Sequence, residues 1–182
     1  MSFNLCIFCG SSSPKNKQIF DEVEKLLDNL LEDKRVNLVY GGANIGIMGM
    51  VAEKFLEQER KVIGVMPSFL KAREVDHPHL TEFIETETMH QRKQLMYDKS
   101  DAFLVLPGGY GTLDELFEAA CWSQLDQHKK PIYVFDAVGF FGQLSGLIDS
   151  MHSEGFISSS DKEIIQIIED PLVLSRRILA TK

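Results

Sequence analysis

The chain has 182 residues, 44% of them hydrophobic and 25% charged, with 27 acidic and 19 basic side chains and a net charge of −8. That length builds one domain, 1–182, with a full core, and the composition excludes a disordered, collagenous or coiled-coil chain. The acidic balance disfavours a nucleic-acid partner, and three cysteines make no disulfide framework, so a reducing cytoplasm is expected.

The opening MSFNLCIFCG has no basic stretch and only a short apolar run, so a signal peptide is not expected. Short apolar runs at 5–9, 37–40, 61–66, 102–106 and 131–135 read as strands. A short extra strand is possible at 83–86, and 164–168 is ambiguous between strand and helix. Helical periodicity covers 17–33, 48–59, 89–100, 113–126, 140–154 and 172–180. The stretch 67–79 reads as a loop. No run approaches the ~20 apolar residues of a membrane span, so no membrane partner is expected. Strands apolar on both faces and separated by helices predict an α/β fold, a parallel sheet with helices on both faces.

In such a sheet ligands bind beyond the carboxyl ends of the strands. Three glycine-rich turns belong there: Gly10-Ser11-Ser12-Ser13-Pro14, the turn from Gly41 and Gly42 to Gly49, and Pro107-Gly108-Gly109-Tyr110-Gly111-Thr112. None is a dinucleotide fingerprint or a P-loop, since the first turn is GSSSP and no Gly-Lys pair occurs. The third turn has three glycines, then Thr112 as the expected cap of the following helix. Free amides at that helix start favour a phosphate. A plain tight turn is the bland alternative.

Two helices carry anomalies. At 100° per residue, Leu113, Leu116, Phe117, Ala120 and Cys121 form an apolar stripe expected to face the sheet, with Glu115, Glu118 and Trp122 opposite. A tryptophan pointing away from the sheet suggests a subunit interface. In 89–100, Arg92 and Lys93 share the side of Met89 and Met96. They either snorkel to solvent or face an anionic ligand. Cys6 and Cys9 form a CxxC, but three apart on a strand they point to opposite faces, which argues against zinc or thiol redox chemistry. His77-Pro78-His79, with Glu74 and Asp76 nearby, fits no metal site, and a solvated loop is the favoured reading.

PGGYGTLDE at 107–115 matches the PGGxGTxxE signature of the LONELY GUY family, and the chain resembles that family over nearly its whole length. CIFCGSSS at 6–13, GGANIGIMG at 41–49, MHQRK at 89–93, WSQL at 122–125 and EGFIS at 154–158 extend the likeness. The resemblance implies a modified Rossmann fold and a cytokinin riboside 5′-monophosphate phosphoribohydrolase. Such an enzyme cleaves a nucleoside monophosphate, AMP or isopentenyladenosine monophosphate among them, into free base and ribose 5-phosphate. It implies a homodimer with the site near the interface, and neither cofactor nor metal. Arg92 and Glu115 would be the catalytic pair. Glu74, Lys93, the turn Gly108, Gly109, Tyr110, Gly111 and Thr112, and Cys121 would contact substrate, with Gly10, Ser11 and Gly42 of the other turns. Cys121 replaces a Thr common in plant members, and Ala43 replaces a glycine. Members have often been labelled lysine decarboxylases, a chemistry that needs a pyridoxal phosphate lysine; no lysine here is marked out for it. The competing class is a nucleotide- or cofactor-binding module with the same turn. A purely structural dimer would need no cation on a buried face.

Overall fold

The computed structural model describes residues 2–70 and 77–181. Its strands are β1 (Phe3–Phe8), β2 (Val36–Tyr40), β3 (Val62–Pro67), β4 (Glu82–Thr86), β5 (Ala102–Val105), β6 (Ile132–Phe135) and β7 (Ile165–Ile168). Its helices are α1 (Gln18–Leu31), α2 (Gly46–Glu57), α3 (Met89–Asp98), α4 (Tyr110–Gln124), α5 (Gly142–Ser153), α6 (Ser159–Lys162) and α7 (Pro171–Leu179). All seven strands are parallel, in the order β4-β3-β2-β1-β5-β6-β7. The architecture is α/β and Rossmann-like.

The central strands are apolar on both faces because both are covered. One core layer joins Leu5, Ile7 and Leu38 to α1, α2 and α7 through Leu26, Leu27, Phe55 and Ile178. The other joins Phe8, Phe103 and Val105 to α3, α4 and α5 through Met96, Tyr97, Leu116 and Ile148. Cys9 lies in the first layer and Cys6 in the second, as a spacing of three on a strand requires. Both edges of the sheet belong to strands the sequence left open: 82–86 is β4, and 165–168 is β7, whose residues are all half-buried. The short helix α6, opened by a capping box of Ser158 and Asp161, has no signature in the periodicity.

The chain builds outward from β1 to β4, then returns to β5 on the other side of β1 and continues to β7. Strand order therefore reverses between β1 and β5. The turns after those two strands flank the crevice where an open α/β sheet binds ligands.

Between β6 and α5 the backbone turns through Val138 at φ 54°, a conformation that a β-branched residue adopts only under strain. The carboxylate of Asp136 accepts the Phe141 amide at 2.5 Å and holds the turn closed. Val138 is about half exposed, so its side chain contributes little burial to set against the strain. Val138→Asn is expected to stabilise the fold by about 1 kcal/mol, raising Tm by roughly 2–4 °C. Thermal unfolding followed by circular dichroism checks this; an unchanged or lower Tm would show the strain absent.

Candidate active site

The three turns are laced together by one residue. The Gly10 amide donates to the Pro107 carbonyl at 3.1 Å, and the Gly10 carbonyl accepts from the amides of Ile47 and Met48 at 3.1 and 3.2 Å. Gly10 thus joins the turn after β5 to the first turn of α2. Gly46, which opens α2, sits at φ 61°, and a Cβ there would lie 2.6 Å from the Ser11 backbone. Only glycine lets these two turns meet.

The turns enclose a cavity of about 460 Å³. Its polar wall holds Gly10 to Ser13, the whole of Pro107 to Thr112, Arg92 and Glu115, and its apolar wall holds Ile19, Ile47, Met48 and Phe140. This volume lies within the range of small-molecule sites. Ile47 and Met48 belong to the second glycine-rich turn, whereas Ile19 and Phe140 have no sequence signal of their own, because they are indistinguishable from core positions until the fold assembles them.

Helix α4 begins at Tyr110, with Gly109 at the cap position in extended backbone and no side-chain cap. Thr112 therefore does not cap the helix; it lies inside the first turn, with its side chain buried. The first amides of α4 have no acceptor within the helix and point with its dipole toward the glycine turn. A helix start of this kind favours an anion, and that tendency does not depend on the expected threonine cap.

The inward face of α4 is also different from the expected stripe. Thr112, Glu115, Leu116 and Ala119 are buried, while Phe117 and Cys121 are exposed. The first two turns of α4 stand at the mouth of the crevice, so the inward positions there go to residues that face the cavity. Trp122 is half-buried, not directed away: its ring lies against Tyr97, with centroids 4.8 Å apart.

Helix α3 starts on a capping box, in which Thr88 accepts the Gln91 amide at 3.2 Å and Gln91 accepts the Thr88 amide at 3.3 Å. One turn further in, Arg92 points inward, 5% exposed, against Glu115 at 4%. Its Nε donates to the Val65 carbonyl, within β3, at 3.1 Å. That bond aims the guanidinium at the cavity, where Nη2 stands 4.0 Å from Oε1 of Glu115. Arg92 and Glu115 thus face one another on the wall of a cavity whose other side is the glycine turn and the start of α4. Burial, and after it the same carboxylate, push the neighbouring Cys9 thiol up, so Cys9 lines the cavity as a neutral group.

Three expected contacts lie elsewhere. The Lys93 ammonium is outside the cavity, bound to Asp114 at 3.1 Å and Glu118 at 3.0 Å, because its partners on α4 point away from the turn. Cys121 lines a separate apolar groove with Phe117, Met151 and Ile157, two turns of helix beyond the mouth. Gly42 packs against Met66 and Phe83 and accepts the His77 amide, so it shapes the second turn from behind. Glu74 lies outside the described residues. His77 is buried against Glu53 at 3.1 Å, and among the described residues no group of three or more His, Cys, Asp or Glu side chains could hold a metal.

A family model described as "Possible lysine decarboxylase" matches residues 48–178. An Arabidopsis thaliana cytokinin riboside 5′-monophosphate phosphoribohydrolase, LOG2, is 42% identical over 88% of this chain and 75% of its own. A probable rice enzyme of the same name, LOGL6, is 40% identical over 97% of this chain and 70% of its own. This chain belongs to the LONELY GUY family. The decarboxylase description of the family model finds no support in the site, because among the described residues no lysine lines the cavity that could carry a pyridoxal phosphate Schiff base. Among solved structures, a molybdenum cofactor carrier protein from Chlamydomonas reinhardtii superposes with TM-score 0.71 over the full length of both chains, at 15% identity. A molybdenum cofactor binding protein from Rippkaea orientalis gives 0.68 over 99% of both, at 17%. At those identities the likeness is one of fold alone.

Proposed function

We propose that this LONELY GUY family member hydrolyses the N-glycosidic bond of nucleoside 5′-monophosphates, AMP or isopentenyladenosine monophosphate among them, and releases the free base and ribose 5-phosphate. The observation that carries the reading is the buried Arg92–Glu115 pair, 4.0 Å apart on the wall of the glycine-turn cavity. The relatives named above are enzymes of this reaction by name.

The glycine turn at 107–112 and the first amides of α4 hold the 5′-phosphate. Phosphate binding there places the ribose toward Glu115, one turn further along the same helix. As the C1′–N bond breaks, its electrons leave with the base and positive charge builds on the ribose ring. The Glu115 carboxylate stabilises that charge and orients the water whose oxygen bonds to C1′. The water gives up a proton as that bond forms, and the departing base takes one up, so the step balances. Arg92 acts through charge, facing Glu115 and the developing negative charge on the base; a guanidinium is a hydrogen-bond donor, not a general acid. The apolar wall of Ile19, Ile47, Met48 and Phe140 supplies a surface for a flat, weakly polar base.

A homodimer fits the exposed apolar strip of Phe117, Leu125 and Phe156 beside the α4–α5 groove. Light scattering at the mass of one chain, 20.6 kDa, would contradict it. No helix among the described residues is long and apolar enough to cross a membrane, and the three cysteines are free, which suits a reducing cytoplasm.

The phosphate assignment has a direct test. Removing the 5′-phosphate from the substrate is expected to lower kcat/KM by about 10²-fold or more, since a charge-assisted anion site is left empty. Rates of base release from AMP and from adenosine, measured side by side, decide it. Equal rates would overturn the placement of the phosphate at α4.

A further inference from the structure

Glu118 stands one turn beyond Glu115 on α4 and is held from two sides. Its Oε1 accepts from the Lys93 ammonium at 3.0 Å, and its Oε2 accepts from the Tyr97 hydroxyl at 2.9 Å. Lys93 and Tyr97 are one turn apart on α3, and both are buried. The Tyr97 hydroxyl also lies 3.3 Å from the Glu115 backbone carbonyl. The Tyr97 ring is fixed by edge contacts with Trp122 at 4.8 Å and Phe103 at 5.2 Å. The three side chains therefore form a clasp between two helices. One helix carries Arg92, next to Lys93; the other carries Glu115, three residues before Glu118.

We propose that Glu118, held by Lys93 and Tyr97, is a positioning residue that sets the separation of Arg92 and Glu115. The proposal rests on the phosphoribohydrolase reading for its kinetic consequence. The chemistry follows from the two bonds. Charge-assisted hydrogen bonds to a carboxylate are short and directional, and two donors on one helix leave that carboxylate a single position. Without the clasp, α4 slides or rotates against α3 by some fraction of an ångström. A displacement near 1 Å between reacting groups costs about 10²-fold in rate. Binding at the glycine turn does not pass through Glu118, so affinity is spared.

Two variants test this. Glu118→Gln keeps the shape and removes the charge that holds both donors. Tyr97→Phe keeps the ring contacts and removes only the hydroxyl. Glu118→Gln is expected to lower kcat for AMP by about 10- to 50-fold with KM within threefold, and Tyr97→Phe to do the same more weakly, by about 3- to 10-fold. A kcat within twofold of wild type for Glu118→Gln, or a loss carried by KM alone, would overturn the proposal. The second measurement is amide hydrogen exchange over α3 and the first two turns of α4. Faster exchange there in Glu118→Gln, with the central strands unchanged, supports the clasp; unchanged exchange refutes it. If the wild type releases no base at all, the enzymatic reading fails, and the exchange measurement still decides whether the clasp exists.

Discussion

Glu115→Gln is expected to lower turnover of AMP by about 10²–10³-fold while leaving the nucleotide bound. The substitution is nearly isosteric, and the side chain is buried at the cavity wall, so the change is one of charge. A neutral amide cannot stabilise positive charge on the ribose or draw a proton from the attacking water. The phosphate site at the start of α4 is untouched, so KM is expected to stay within a few-fold. Some stability is lost as well, because the Arg92 charge keeps its bond to the Val65 carbonyl but loses its facing carboxylate. Adenine release followed by chromatography, with Tm measured on the same sample, separates the two effects. Near-normal turnover in a folded variant would remove Glu115 from the chemistry.

Gly41→Ala is expected to be nearly as damaging to turnover and far milder to the fold. Gly41 follows β2, and its Cα packs against the Arg92 guanidinium; a Cβ there collides with Nη2. The obstructing atoms are the far end of a flexible side chain, so the protein relieves the clash by swinging Arg92 out of place. The expected cost in turnover is about 10²-fold, the scale of a misplaced electrostatic group, with Tm within roughly 4 °C of wild type. Assay and melt on one preparation check both halves. Normal turnover in Gly41→Ala would show that the guanidinium works from another position.

The strands around β1 and the turns that follow them were legible in the sequence, because strands buried on both faces read as continuous apolar runs and the turns are dense in glycine. The sheet edges were not. Residues 165–168 are half-buried on a short edge strand, so IQII satisfies a strand or a helix equally. The sequence placed Arg92 and Lys93 on a buried face of their helix, and both are buried. Their partners were beyond reach, because Lys93 is claimed by Glu118 across a pairing of two helices that no local pattern encodes. Helix α4 shows the opposite failure. Counting apolar residues put Phe117 and Cys121 on the sheet side beside Leu113 and Leu116; the two leucines do pack on the core, but Phe117 and Cys121 are exposed, and the start of the helix lines the cavity. Its first inward positions therefore serve the cavity, and Thr112 and Glu115 take them. The departure from the apolar pattern marks the site. Phe140 and Ile19 gave no signal at all, since an apolar residue lining a ligand cavity and one filling a core look the same in sequence.

The most direct measurement is the fate of AMP itself. Incubating it with the purified protein and separating the products is expected to give adenine and ribose 5-phosphate in equal amounts, at a rate proportional to protein and abolished in Arg92→Ala. AMP recovered intact, while calorimetry shows it bound in the same solution, would contradict hydrolysis and leave a nucleotide-binding module.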